Sequence, residues 1–187
     1  MRLFSVIIFI TCMLLYKPVS AQQHKLFNEV TFYLVRHAEK DTGSNPALKQ
    51  VGYTRAGDLY RVLKNKKIDK IYVSQYRRTE LTADSLRIYN KIDVVKYKVD
   101  ENGNDLFEKI MLRTTKQNKI LIIGHSNTIP SIIRRLGVTN FDITEIPDNE
   151  YDNLYTVTIK ENKASLKMMK YGKASAPAEK TVMKPLQ

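Results

Sequence analysis

Apolar residues along this chain alternate between short strand-like runs and helical stripes, and three of the runs stop abruptly at polar or charged side chains. The first, Thr31-Phe32-Tyr33-Leu34-Val35, is rich in residues that suit strands and ends at Arg36-His37, with Ala38, Glu39 and Lys40 behind it. A dense cluster of turn formers, Asp41-Thr42-Gly43-Ser44-Asn45-Pro46, then predicts a loop. From Thr54 to Leu63, Ala56, Leu59, Tyr60 and Leu63 recur at helical spacing, with Thr54 as the expected N-cap. Ile68 and Ile71-Tyr72-Val73 predict a second strand ending at Ser74. The stretch Tyr76 to Tyr89 follows as an amphipathic helix, with Leu81, Ser85 and Ile88 or Leu86 expected on its buried side and Arg78 and Thr82 four apart on one face.

A third strand is expected at Val94-Val95-Lys96-Tyr97, and the turn-rich, acidic stretch Asp100 to Asp105 leads into a helix from about Leu106 to Thr114. The continuous apolar run Ile120-Leu121-Ile122-Ile123 is the pattern of a strand covered on both faces, and it runs straight into Gly124-His125-Ser126-Asn127-Thr128. Asn127 or Thr128 is expected to cap a helix carrying Ile132, Ile133 and Leu136, with Pro130 tolerated in its first turn. Leu154 to Ile159 and Ala164 to Tyr171 alternate as two strands of a hairpin joined near Glu161-Asn162. The succession of strand, helix and strand is that of βαβ units, so the fold class is α/β with a mostly parallel central sheet.

The ends of the chain read differently. Met1-Arg2 is a positive start, Leu3 to Leu15 is almost wholly apolar, and Val19-Ser20-Ala21 offers small residues for cleavage, so residues 1–21 are expected to be a secretory signal peptide. The apolar run is too short for a membrane span, so no stable membrane insertion is expected after cleavage; Thr11 before Cys12 also disfavours a lipid anchor. Residues 22–29 form a polar lead-in, residues 30–171 one domain, and residues 172–187 a basic tail expected to be flexible. The expected location is exported, periplasmic or secreted.

Composition narrows the chemistry. Cys12 is the only cysteine, so cleavage leaves neither a disulfide framework nor a thiol nucleophile. The net charge is +12, falling to +10 without Arg2 and Lys17, which favours anionic partners. The basic residues are scattered through helices and turns rather than gathered with aromatics into a module, so nucleic acid is not the expected partner.

If the three strands are parallel neighbours, their carboxyl ends bring Arg36-His37, Ser74 with Arg78, and His125-Ser126-Asn127 to one edge of the sheet. Two guanidinium groups and two imidazoles fit a phosphoryl group, and N–H groups at the start of the helix after His125 would add anion contacts. A histidine there can act as nucleophile if its reactive nitrogen is neutral and its other nitrogen is held. Glu39 beside two histidines also raises a metal reading, which the neighbouring arginines oppose. A serine-nucleophile reading of Gly124-His125-Ser126-Asn127 fails because no glycine follows two residues after the serine.

These residues resemble a known family. Leu34-Val35-Arg36-His37-Ala38-Glu39-Lys40 is similar to the Arg-His signature of the histidine phosphatase superfamily, the phosphoglycerate-mutase-like fold. Leu48 with Gly52 and Ala56, then Ser74, Arg78, Thr82 and Ala83, then Gly124 to Thr128, resemble its further landmarks in order, over roughly residues 30–171. The resemblance implies a three-layer sandwich with helices on both sides of the sheet, and a phosphatase that needs no metal or other cofactor. It implies that His37 becomes phosphohistidine, with Arg36, Arg78 and His125 completing the phosphate pocket and Asn127 orienting the phosphate. Lys40, in the signature, is a candidate for substrate contact.

The superfamily protonates its leaving group with a carboxylate. Ser126 follows His125 where the acid-phosphatase and phytase pattern has aspartate, so the donor is sought among Asp100, Glu101, Asp105 and Glu108, with Glu101 favoured. Size and motif resemble the small phosphatase branch, which includes protein phosphohistidine phosphatases, and small phosphorylated metabolites are the expected substrates. A mutase that returns the phosphoryl group to substrate, and an anion-binding protein of the same fold without turnover, are the alternatives.

Overall fold

The computed structural model describes residues 29–114 and 116–175. The proposed signal peptide, all of the lead-in except Glu29, and the tail beyond Ser175 lie outside the described residues. Six strands, β1 (Val30–Arg36), β2 (Lys70–Ser74), β3 (Val94–Tyr97), β4 (Lys119–Gly124), β5 (Asn153–Lys160) and β6 (Lys163–Lys170), form one sheet in the order β3-β2-β4-β1-β5-β6. β3, β2, β4 and β1 run parallel, whereas β5 pairs antiparallel with β1 and β6 antiparallel with β5. The strands that end in Arg36-His37, Ser74 and His125 are thus neighbours pointing the same way. Among the described residues no helix is long and apolar enough to cross a membrane.

Period-two alternation splits the core into two layers. Phe32, Leu34, Tyr72, Ile120 and Ile122 face α3 (Asn104–Met111) and α4 (Thr128–Arg135), packing on Leu106, Ile110, Ile129 and Ile133. Val35, Ile71, Val73, Leu121 and Ile123 face α1 (Gln50–Leu63) and α2 (Arg77–Asn90), packing on Leu59, Leu63, Ala83 and Leu86. The four successive apolar residues of β4 are all fully buried because both faces of this strand are covered. Burial of each contributes roughly 1.5–3 kcal/mol.

Several local expectations need correction. α1 starts at Gln50, a turn before Thr54, and Lys49 is its N-cap. The early start is possible because Gly52 has no side chain: a Cβ there would stand 2.2 Å from the Glu39 carbonyl oxygen, which accepts the Lys49 N–H at 2.9 Å. The buried side of α2 is Thr79, Thr82, Ala83 and Leu86, while Ile88 is exposed, because the helix turns Thr82 toward Ala38 after β1 and Thr79 toward Ser74 at the end of β2. α3 spans Asn104–Met111, beginning and ending earlier than expected. Asn127 is the N-cap of α4 but makes no side-chain cap bond; Thr128 instead accepts the His125 backbone N–H at 2.9 Å.

The hairpin forms as expected, with Glu161 and Asn162 both at positive φ, the geometry of a two-residue primed turn. The start of the expected tail is anchored. The Lys173 carbonyl accepts from Arg55, and Ser175 bonds Asp152 and the Tyr151 backbone.

Candidate active site

Parallel pairing of β1 with β4 sets Arg36 opposite Gly124, and the His37 N–H donates to the Gly124 carbonyl at 2.9 Å. This single bond places the residues that follow the two strands side by side. The two imidazole rings lie edge to face, with centroids 5.3 Å apart.

His37 is buried, and its Nδ1 lies 2.8 Å from the carbonyl oxygen of Ala38. A carbonyl only accepts, so Nδ1 carries the proton and Nε2 holds a free lone pair. Burial pushes the ring's pKa down to about 3, the nearby His125, Arg78 and Arg36 adding to this against the Ala38 bond. The ring is therefore neutral at physiological pH. Ala38 is held in turn, its N–H donating to Thr82 Oγ1 at 2.9 Å, while the Thr82 hydroxyl bonds the Arg78 carbonyl at 2.7 Å.

His125 is fixed in the opposite tautomer. Its Nδ1 lies 3.3 Å from Arg78 Nη2, a group that only donates, so Nδ1 accepts and Nε2 carries the proton. Nε2–H then donates to Ser74 Oγ at 2.8 Å, Ser74 to Thr79 Oγ1 at 3.0 Å, and Thr79 to the Tyr76 carbonyl at 2.7 Å. Each hydroxyl in this buried chain has one proton to give and gives it onward. Burial, with the charges of Arg78 and Arg36, lowers the His125 pKa to about 4. Arg78 lies over the Tyr76 ring at 4.3 Å.

Arg36 is buried and held by a distant loop. Its Nη1 donates to the carbonyls of Pro147 (2.8 Å), Asp148 (3.1 Å) and Glu150 (3.4 Å), and its guanidinium stacks on Tyr151 at 4.3 Å. Nη2 meets Asp148 Oδ1 at 3.2 Å. The Nε atoms of both Arg36 and Arg78 are buried without an acceptor. Unpaired buried donors of this kind are costly, and a tetrahedral oxyanion offers the acceptors that two side-on guanidinium forks require.

Arg36, His37, Arg78 and His125 thus come together as the sequence leads one to expect. Glu39 does not join them: it binds Arg55 through both carboxylate oxygens, at 2.7 and 2.9 Å, and buried Arg55 also reaches the Tyr171 and Lys173 carbonyls. Lys40 contributes its backbone, bridging Leu48, and is half-buried. Asn127 is exposed at the start of α4. No group of three or more His, Cys, Asp or Glu among the described residues is arranged to hold a metal.

The acidic turn after β3 is docked on the end of β2, the Val99 N–H donating to Gln75 Oε1 at 2.8 Å. Asp100 accepts from the backbone of Asn102, Asn104 and Asp105; burial opposes its charge, but these bonds outweigh it and hold its pKa down. Asp105 is tied to Lys109 and to the Lys98 N–H, which likewise lower its pKa. Both carboxylates are therefore occupied in holding the turn. Glu101 and Glu108 are exposed.

The structure also sets Asp148, Glu150 and Tyr151 around Arg36, in a stretch, Asp148 to Asp152, that the sequence presents as ordinary solvated surface with at most a part in specificity. The cluster of acidic residues just before β5 was the available signal, but nothing local tied it to a strand more than a hundred residues earlier. Tyr76 was likewise read only as the start of a helix.

A family model described as the histidine phosphatase superfamily (branch 1) matches residues 32–102. No curated protein matches the chain. Among solved structures, the chain is similar to SixA of Agrobacterium tumefaciens, provisionally named a phosphohistidine phosphatase, at 18% identity and a TM-score of 0.54 over 79% of this chain and 98% of that one. It is similar at 15% identity and a TM-score of 0.58 to an Escherichia coli K-12 protein provisionally named an alpha-ribazole-5'-P phosphatase, over 80% of this chain and 100% of that one. A mycobacterial glucosyl-3-phosphoglycerate phosphatase, in complex with inorganic phosphate, aligns at 11% identity and a TM-score of 0.58 over 78% of this chain and 98% of that one. At these identities the likeness establishes a shared fold.

Proposed function

We infer that this chain, a histidine phosphatase superfamily protein over residues 32–102, hydrolyses phosphomonoesters through a phosphohistidine formed at Nε2 of His37. The observation that carries this reading is the Nδ1–H bond to the Ala38 carbonyl, which leaves a neutral ring with its Nε2 lone pair free beside two arginines. In the first step Nε2 attacks phosphorus, the ester P–O bond breaks, and the leaving oxygen takes a proton. Arg36 and Arg78 neutralise the equatorial oxygens, and the Ala38 carbonyl stabilises the positive charge growing on the ring. In the second step water attacks the phosphohistidine, returning His37 and releasing phosphate. Asn127, at the start of α4, is assigned to orient the phosphate, and Lys40 to contact the substrate.

Glu101 is assigned as the proton donor, since Asp100 and Asp105 are engaged in the turn and the Gln75 contact docks this turn at the site's edge of the sheet. Glu101→Gln should slow esters with poor leaving groups and spare p-nitrophenyl phosphate, whose leaving group needs no proton. Equal effects on both would remove Glu101 from this role. Small phosphorylated metabolites are the proposed substrates, and residues 1–21 are the basis for proposing an exported enzyme, checked by fractionating cells and sequencing the mature N-terminus.

The decisive experiment is rapid quench of turnover with a labelled phosphomonoester. Acid-labile, base-stable phosphate on the wild-type protein and none on His37→Ala is the expected result. Hydrolysis that persists in His37→Ala sinks the mechanism, and phosphate binding without any turnover would make the chain an anion-binding protein.

A further inference from the structure

Arg36 is the residue whose partners the phosphate-pocket reading leaves unexplained. Of its two terminal nitrogens, Nη1 is fully engaged by the carbonyls of Pro147, Asp148 and Glu150. Nη2, which shares the side-on edge of the guanidinium with Nε, bonds the Asp148 carboxylate at 3.2 Å, while Nε is buried without an acceptor. The edge suited to bidentate capture of a phosphoryl group therefore carries a carboxylate oxygen on one leg and nothing on the other. Arg78 offers the same edge, with Nη2 on His125 Nδ1 and Nε unpaired, but no carboxylate lies on it.

The two members of the Arg36–Asp148 pair differ sharply in burial. The arginine side chain is 7% exposed and the aspartate side chain 96% exposed. Asp148 can therefore swing into water at little cost, whereas Arg36 cannot follow it, being gripped by three carbonyls and stacked on Tyr151. The loop 147–151 orients Arg36 through its backbone and competes for it through one side chain.

We propose that Asp148 is an affinity-determining residue, an internal competitor whose carboxylate occupies the Arg36 fork and must leave it before a phosphoryl group can bind side-on. This rests on the proposed function only in taking that fork as part of the phosphate pocket. The competitor weakens substrate and product phosphate alike, and so favours release of phosphate after the phosphohistidine is hydrolysed. Glu150 takes no part in this competition, because its carboxylate bonds Asn153 and Lys170.

Titration of inorganic phosphate into wild type, Asp148→Asn and Asp148→Ala by calorimetry tests this without requiring turnover. An exposed side chain is replaced, so folding is not at issue. The proposal expects phosphate to bind about three- to tenfold tighter in both variants, the scale of a charge-assisted pair broken on its solvent side. KM for a phosphomonoester should fall in parallel. Phosphate affinity that is unchanged or weaker in both variants overturns the proposal while leaving the phosphatase reading intact. A loss of kcat at unchanged phosphate affinity also overturns it, by making Asp148 part of the chemistry instead. No phosphate binding in any of the three proteins overturns the pocket itself and this inference with it.

Discussion

Removing one hydroxyl, in Ser74→Ala, tests the buried relay that orients His125. Ser74 is buried and accepts the His125 Nε2–H at 2.8 Å while donating to Thr79 at 3.0 Å. Without it the Nε2–H has no acceptor, at a cost of about 1–3 kcal/mol. The ring can escape only by moving its proton to Nδ1, but that nitrogen faces the Arg78 Nη2 donor at 3.3 Å, so the escape sets two donors against each other. Either route weakens the positioning of His125 by a similar amount, and at about 1.4 kcal/mol per tenfold this predicts kcat/KM roughly 5- to 140-fold below wild type. The assay is p-nitrophenyl phosphate hydrolysis, paired with ¹⁵N chemical shifts of the histidine rings, which report tautomers directly. A variant with kcat/KM within twofold of wild type and His125 still protonated on Nε2 would refute the relay.

Two further outcomes follow from geometry and burial. Gly52→Ala should lower unfolding stability by about 2–4 kcal/mol and reduce activity, because the new Cβ, 2.2 Å from the Glu39 carbonyl, must push back the segment that follows His37; a chemical denaturation midpoint equal to wild type would contradict this. His37 and His125 are held near pKa 3 and 4 by burial, against about 6.5 unfolded, so the unfolded chain binds more protons between these values. Stability should therefore be full above about pH 6.5 and fall as pH drops toward 4, with a shallower fall in His37→Asn/His125→Asn. Thermal melts across that range, identical in slope for both proteins, would show that the histidines are not the cause.

The elements that carry chemistry were legible because each is a local pattern. An apolar run that ends at Arg36-His37, and another that ends at Gly124-His125, each announce a buried strand with polar residues at its exit. Their adjacency follows once β1, β4 and β2 pair in parallel. Helix boundaries were less legible: Thr54 had the right chemistry for a cap, yet the helix begins at Gln50 because Gly52 lets it press against the Glu39 carbonyl. That contact is tertiary, and no local preference reports it.

By itself, then, the sequence determined the strands, the turn at Glu161-Asn162 and the order of the polar clusters, since periodicity and turn chemistry act over a few residues. Only the tertiary structure decided the state of the groups within those clusters. The tautomers of His37 and His125 depend on which carbonyl, hydroxyl or guanidinium lies against each nitrogen. The hold on Arg36 comes from residues 147–151, and the pairing of Glu39 with Arg55 removes from the site a carboxylate that stands two residues from His37 in the chain. Hydrogen bonds are satisfied by whatever the fold brings within about 3 Å, and that distance has no counterpart in separation along the chain.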